Sequence, residues 1–133
     1  MILQRDANVN VWGWADPNEK ITIAIDGKNY KTVADINGNW KVLLKPHKAG
    51  GTFKMILTGN NKIEINNILF GDIWLCSGQS NMELPISRAK PLYKAEIDTA
   101  NNSQIRYFNV PQKYNFKTTE TDYSGGIWQQ VNP

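Results

Sequence analysis

Apolar and polar residues alternate in short runs along the first half of the chain, with turn residues between the runs. Val9 and Val11 share one side of a first run, Gly13 comes next on that side, and Asp16-Pro17-Asn18 turns the chain. Ile21, Ile23 and Ile25 alternate with Thr22, Ala24 and Asp26, which is the period of a half-buried strand. Asp26-Gly27 is a strong hairpin signal, so residues 30–33 should return antiparallel. Asn37-Gly38-Asn39 turns the chain again, into a strand over residues 40–44. A loop follows over residues 46–51, and residues 52–58 and 63–68 read as a further hairpin around Gly59-Asn60-Asn61. Strands at this even spacing predict an antiparallel β-sandwich of immunoglobulin or jelly-roll type over residues 1–69.

The pattern changes near residue 69. Residues 69–76 are almost all apolar or small, with Asp72 the one charge, and predict a strand buried on both faces. Gly78 then permits a sharp turn. Residues 81–88 predict a short helix, stopped by Pro85 or limited to one turn. Residues 93–101 have helical spacing, residues 105–110 read as a strand, and together they suggest one βαβ-like unit. Residues 113–121 are polar with aromatics and irregular, Ser124-Gly125-Gly126 is a turn, and residues 127–131 form a last strand. A single βαβ unit leaves sheet edges unpaired and apolar faces uncovered. Residues 70–133 therefore read as the incomplete start of an α/β domain, and the chain as mainly β.

Ser80 is the residue with the most distinctive setting. It falls just past the end of the expected strand, where open α/β sheets hold their ligands. A helix starting there would point free backbone N–H groups at an oxyanion formed when a hydroxyl attacks an ester. The arrangement follows the logic of the G-x-S-x-G nucleophile elbow, but Met82 stands where the second glycine belongs. The competing reading is a serine that caps a helix. Asp72 lies eight residues upstream, at the far end of the expected strand, too remote to serve as the acid of a triad. Trp12, Trp14 and Trp40 invite a sugar-stacking hypothesis, but a core or interdomain role accounts for them better in a small sandwich. His47, the one histidine, lies between proline and lysine and is expected to be exposed and inert.

Composition narrows the classes. A 133-residue chain with 41% hydrophobic and 20% charged residues can build a core. The net charge of +3 is mild and its cations are scattered, which argues against nucleic acid as a partner. One cysteine, Cys76, excludes an internal disulfide, and its apolar setting suggests a small buried core residue. With one cysteine and one histidine no Cys/His metal site is expected, and no cofactor is implied. No apolar run approaches membrane-spanning length. There is no signal peptide, although Met1 need not be the natural start.

The stretch Gly71-Asp72-Ile73-Trp74-Leu75-Cys76-Ser77-Gly78-Gln79-Ser80-Asn81-Met82-Glu83 resembles the signature of the sialate O-acetylesterases, a branch of the SGNH hydrolases. Met1-Ile2-Leu3-Gln4-Arg5, Trp12-Gly13-Trp14-Ala15, Gly38-Asn39-Trp40 and Ala49-Gly50-Gly51 resemble family landmarks in the family's order, as do Ile105-Arg106-Tyr107-Phe108 and Trp128. The resemblance implies that Ser80 is the nucleophile and that its backbone N–H contributes to the oxyanion hole. Gln79, Asn81 and Glu83 are then expected to bind substrate or brace the turn. It also implies that the catalytic histidine and aspartate come from later segments. The chain would be the N-terminal portion of a longer enzyme, cut inside an SGNH domain that starts near residue 70 and inactive alone. The expected substrate is O-acetylated sialic acid, the 9-O-acetyl ester above all. The alternatives are an acetylxylan-type or other glycan acetylesterase and, in another class, a carbohydrate-binding or scaffolding sandwich module. The parent is expected to be secreted or periplasmic, and the incomplete sheet makes self-association plausible.

Overall fold

The computed structural model describes residues 1–120, 122–123 and 125–132. They divide into two compact units, Met1–Trp74 and a second from Leu75 onward. The chain is mainly β.

Among the described residues of the first unit, seven strands form: β1 (Ile2–Gln4), β2 (Val9–Trp14), β3 (Lys20–Ile25), β4 (Lys28–Val33), β5 (Asn39–Leu44), β6 (Gly50–Thr58) and β7 (Lys62–Gly71). Five build one sheet in the order β1-β7-β6-β3-β4, and β2 and β5 pair as a separate two-stranded sheet. The alternation read from the sequence decides which side faces inward. Ile21, Ile23 and Ile25 of β3 join Met55, Ile68 and Phe70 from β6 and β7, and Trp40 and Leu44 of β5 enter the same cluster. Val9, Val11 and Val42 pack against it, so the two sheets share one hydrophobic core.

The turns form for the reasons their residues suggest. Ile25 pairs with Lys28 across Asp26 and Gly27, whose φ angles of 48° and 68° give the two-residue turn that matches strand twist. Gly38 has φ of 81°, and a Cβ there would lie 2.5 Å from the carbonyl oxygen of Ala15. The same turn is tied by Asp35, whose Oδ1 accepts the backbone N–H groups of Asn37 at 2.8 Å and Asn39 at 2.9 Å. Those bonds, that from Asn39 foremost, hold the Asp35 carboxyl below its usual range.

Two features depart from a purely antiparallel sandwich. β1, which the sequence pattern did not suggest, runs parallel to β7, with Ile2 beside Leu69 and Gln4 beside Gly71. The second layer is only the β2-β5 pair. Three assignments made from residue type also change. Trp40 is buried, but Trp12 and Trp14 are 58% and 67% exposed on the outer face of β2 and so take no part in this core. His47 is not exposed and inert. Its side chain is 19% exposed, stacked on Phe70 at 4.3 Å and edge-on to Phe53 at 4.7 Å. Cys76 is exposed rather than buried.

The second unit holds two short 3₁₀ turns, Ser80–Glu83 and Ile86–Ala89, one helix α1 (Lys94–Asp98), and strands β8 (Asn102–Phe108) and β9 (Trp128–Val131) among its described residues. The strand expected over residues 69–76 stops at Gly71, because β1 pairs no further along it, and Trp74 and Leu75 are 84% and 89% exposed. The helix expected over 93–101 is limited to α1: Thr99 terminates it, its hydroxyl donating back to the Ala95 carbonyl at 2.8 Å. β8 pairs antiparallel with β9, Phe108 beside Trp128, so a βαβ crossover is not what these residues form. Residues 113–120 are irregular, as their composition suggests. In the expected turn, Gly125 and Gly126 have φ of 100° and 90°, whereas Ser124 and Thr121 lie outside the described residues.

Candidate active site

The stretch leading to Ser80 starts as part of the first unit. Asp72 receives a two-pronged contact from Arg5, Nε to Oδ1 at 3.0 Å and an η nitrogen to Oδ2 at 3.2 Å. The Ile73 backbone N–H donates to the Gln4 side-chain oxygen at 3.1 Å, and that of Arg5 to the Gly71 carbonyl at 3.0 Å. Asp72 is thus an anchor of this segment to β1, with both carboxylate oxygens engaged. Arg5 also reaches Asp6, which pairs with Lys48 at 2.8 Å. Lys48 foremost holds the Asp6 carboxyl below its usual range.

Gly78 matters for a different reason from the one its position suggests. Its φ is not in the left-handed region. Instead, a Cβ there would come within 2.9 Å of Met82 Cγ, so the missing side chain makes room for Met82 to fold back over the entering backbone. The residue that breaks the G-x-S-x-G pattern is therefore the one that packs over Gly78.

Ser80 is exposed and is the first residue of its 3₁₀ turn. The flanking residue is Gln79, with φ −93° and ψ −164°, and no side chain caps the turn. The turn is held by backbone bonds, from Met82 N–H to the Gln79 carbonyl at 2.9 Å and from Leu84 N–H to the Asn81 carbonyl at 3.3 Å. Ser80 is consequently not a cap, and its hydroxyl has no hydrogen-bond partner among the described residues. Gln79 and Asn81 flank it, both exposed, and Glu83 closes the turn. A four-residue turn has no macrodipole to speak of, so the helix expected to aim its N-terminus at a ligand is not what forms here.

A base for Ser80 is not supplied by His47. One ring nitrogen, Nδ1, lies 2.7 Å from the Lys48 carbonyl and the other, Nε2, lies 2.9 Å from Asp26 Oδ2, so both are engaged within the first unit. The sequence missed this clamp because Asp26 and Phe70 are each more than twenty residues from His47 along the chain. The only advance signal was the apolar alternation that puts Phe53 and Phe70 near the core. Among the described residues no group of three or more His, Cys, Asp or Glu side chains is placed to hold a metal ion. No helix among them is long and apolar enough to cross a membrane.

Comparison with known proteins gives a consistent answer. No family model matches. The chain is 34% identical over 122 residues to the sialate O-acetylesterase of Mus musculus, covering 83% of this chain and 23% of that protein. It is 30% identical over the same length to the human sialate O-acetylesterase, again covering 83% of this chain and 23% of the relative. The crystal structure of a carbohydrate acetylesterase from Xanthomonas citri superposes with a TM-score of 0.91 at 38% identity, over 97% of this chain and 29% of that one. Fold and sequence together thus match proteins named as carbohydrate esterases. By these matches the sialate O-acetylesterases are homologues of this chain, at 30–34% identity over 83% of its length. It spans about a quarter of the length of the curated relatives it matches.

Proposed function

We propose that these residues are the N-terminal portion of a serine carbohydrate esterase that removes O-acetyl groups from sugars, 9-O-acetylated sialic acid foremost. The observation that carries this reading is the 34% identity to a sialate O-acetylesterase over most of the chain. The uncommitted hydroxyl of Ser80 at the head of a tight turn supports it.

In this reading Ser80 Oγ attacks the acetyl carbonyl carbon and gives its proton to a base. The oxygen that becomes negative accepts a hydrogen bond from the Ser80 backbone N–H. The tetrahedral intermediate collapses, the C–O bond to the sugar breaks, and the sugar oxygen takes the proton back from the base. Water then cleaves the acetyl-enzyme by the same route and releases acetate. Gln79, Asn81 and Glu83 line or brace the turn that presents Ser80. The base and the acid that orients it belong to the further length that the relatives carry. That same length covers the apolar side chains that the second unit leaves exposed. Residues 1–69 then form an accessory β domain and residues 70–133 part of the hydrolase domain. The compactness of Met1–Trp74 is consistent with a boundary in this region. We place the parent outside the cytoplasm, where glycan esters are met, and expect the chain alone to self-associate through its uncovered apolar surface.

The test compares the chain with its full-length parent on an acetyl ester, each with a Ser80→Ala control. The parent should turn over and lose about 10³-fold or more in kcat on substitution, with the chain alone silent. A parent that keeps its activity without Ser80 removes this assignment. Assay on acetylated xylan beside acetylated sialosides separates sialic acid from the other glycan esters, a choice that the general name of the Xanthomonas citri relative keeps open.

A further inference from the structure

The outer face of the β2-β5 sheet has the composition of a binding site for an acidic sugar. β2 presents Asn10, Trp12 and Trp14 outward, and β5 presents Leu43, Lys41 and Asn39 beside them in register. Trp12 lies directly across from Lys41, and Trp14 across from Asn39. The two indoles stand two residues apart on one strand, about 7 Å along it, and both are more than half exposed. Lys41 is exposed and, like Lys20, Lys28, Lys31, Lys45 and Lys117, makes no ion pair among the described residues; of these six it is the one set directly across from Trp12. Two aromatic plates offer flat apolar area to the C–H face of a sugar ring, and the ammonium beside them offers charge to a carboxylate.

We propose that Trp12, Lys41 and Trp14 form a glycan-binding ledge, on the outer face of the β2-β5 sheet, for a carboxylate-bearing sugar of the sialic acid type. The choice of an acidic sugar rests on the sialic acid ester reading above. A purely protein occupant fits the face less well. Lysine is depleted at the centres of protein interfaces, whereas a sugar carboxylate supplies the Lys41 ammonium with a partner and leaves the site wet. The ledge would hold the glycan while the ester is cleaved elsewhere on the protein, which raises the local concentration of acetylated residues.

The probe is the methyl glycoside of unesterified sialic acid, titrated into the 133-residue chain and followed through the indole N–H signals of Trp12 and Trp14 by NMR. Both signals should shift with the probe and shift far less with a neutral methyl galactoside. Trp12→Ala and Trp14→Ala should each weaken binding at least about tenfold, as loss of an aromatic anchor does. Lys41→Gln should leave the fold intact, weaken the sialoside severalfold and remove most of the salt dependence of binding. Ser80→Ala should change nothing, so that failure of the ledge and failure of the esterase reading remain distinguishable. Absence of any binding overturns the proposal, and so does binding that survives both tryptophan substitutions. Equal affinity for the galactoside with no effect of Lys41→Gln overturns the acidic-sugar assignment. Loss of binding with Ser80→Ala places the sugar at the nucleophile turn instead.

Discussion

The two units of this chain spend similar apolar sequence in opposite ways. Every buried apolar residue described, from Leu3 to Phe70, lies in the first unit. In the second, Leu75, Ile86, Leu92, Tyr107, Phe116 and Ile127 are all exposed, and no described apolar residue is buried. The difference lies in the number of surfaces each element meets. β3 has β4 on one side, β6 on the other and β5 across the core, so each inward isoleucine is covered from several directions. β8 has one partner, β9, and a two-stranded ribbon has no second layer to bury its apolar face. The first unit therefore has apolar residues that hold a core, whereas those described in the second stay at least partly open to solvent.

The largest expected effect sharpens that contrast. Ile23 and Ile68 are fully buried on neighbouring parts of the core. Ile23→Ala or Ile68→Ala should each destabilise the first unit by about 2–5 kcal/mol, the transfer loss plus a cavity. Leu92→Ala or Ile105→Ala, at exposed positions of the second unit, should stay within about 0.5 kcal/mol. Urea unfolding followed by circular dichroism of the whole chain measures both. Equal losses at the two kinds of position would break the comparison.

Next in size is the turn that carries the chain from one sheet to the other. Gly38→Ala forces a side chain into φ of 81° and against the Ala15 carbonyl. The cost should be about 1–3 kcal/mol. Gly27→Ala has the same left-handed φ problem, at 68°, but open space around it, so it should cost less. If the two variants melt together, the close approach to Ala15 has no energetic weight.

Hydrogen exchange should follow the same division by a smaller margin per residue. Amides of β3, β6 and β7 should exchange only on opening of the shared core, while those of β8 and β9 exchange by local fraying. Matching protection in β8 would show that the second unit is stabilised by contacts the comparison omits.

What the sequence made legible follows from how local each cause is. The Ile21-Ile23-Ile25 alternation, the Asp26-Gly27 turn and the Asn37-Gly38-Asn39 turn act within a few residues, and the structure has them where the pattern put them. The errors lie where a distant partner decides. Residues 69–76 look like a buried strand, yet the strand ends where β1 ends, a limit set by residues 2–4. Trp12 and Trp14 read as core or interdomain by size, and the core half of that reading fails, because alternation with Val9 and Val11 puts them on the opposite face of β2, a clue present in the sequence and outweighed by residue type. His47 looked idle in its loop, and only the fold brings Asp26 and Phe70 to its ring. At the candidate site, Ser80 was singled out by its letters. The reason for Gly78, room for Met82, was not legible in them.

The smallest expected effect concerns the outer, wet face of the large sheet. Glu64 on β7 is gripped by Lys54 from β6 at 2.6 Å and by Lys62 on its own strand at 2.7 Å. The bond from Lys54 foremost, then that from Lys62, lowers its carboxyl from the usual 4.5 to about 2. A carboxyl whose folded pKa is depressed stabilises the fold above its unfolded pKa and loses that contribution as pH falls through the folded one. The contribution of Glu64 is therefore complete above about pH 4.5 and declines toward pH 2. Glu64→Gln should lower Tm slightly at neutral pH, by less in high salt because the pair is exposed to screening. The gap between Glu64→Gln and the parent chain should close as the pH is taken down through that window. A gap that stays constant from pH 7 to pH 2 would mean that the glutamate acts through packing on the sheet and that its charge contributes nothing.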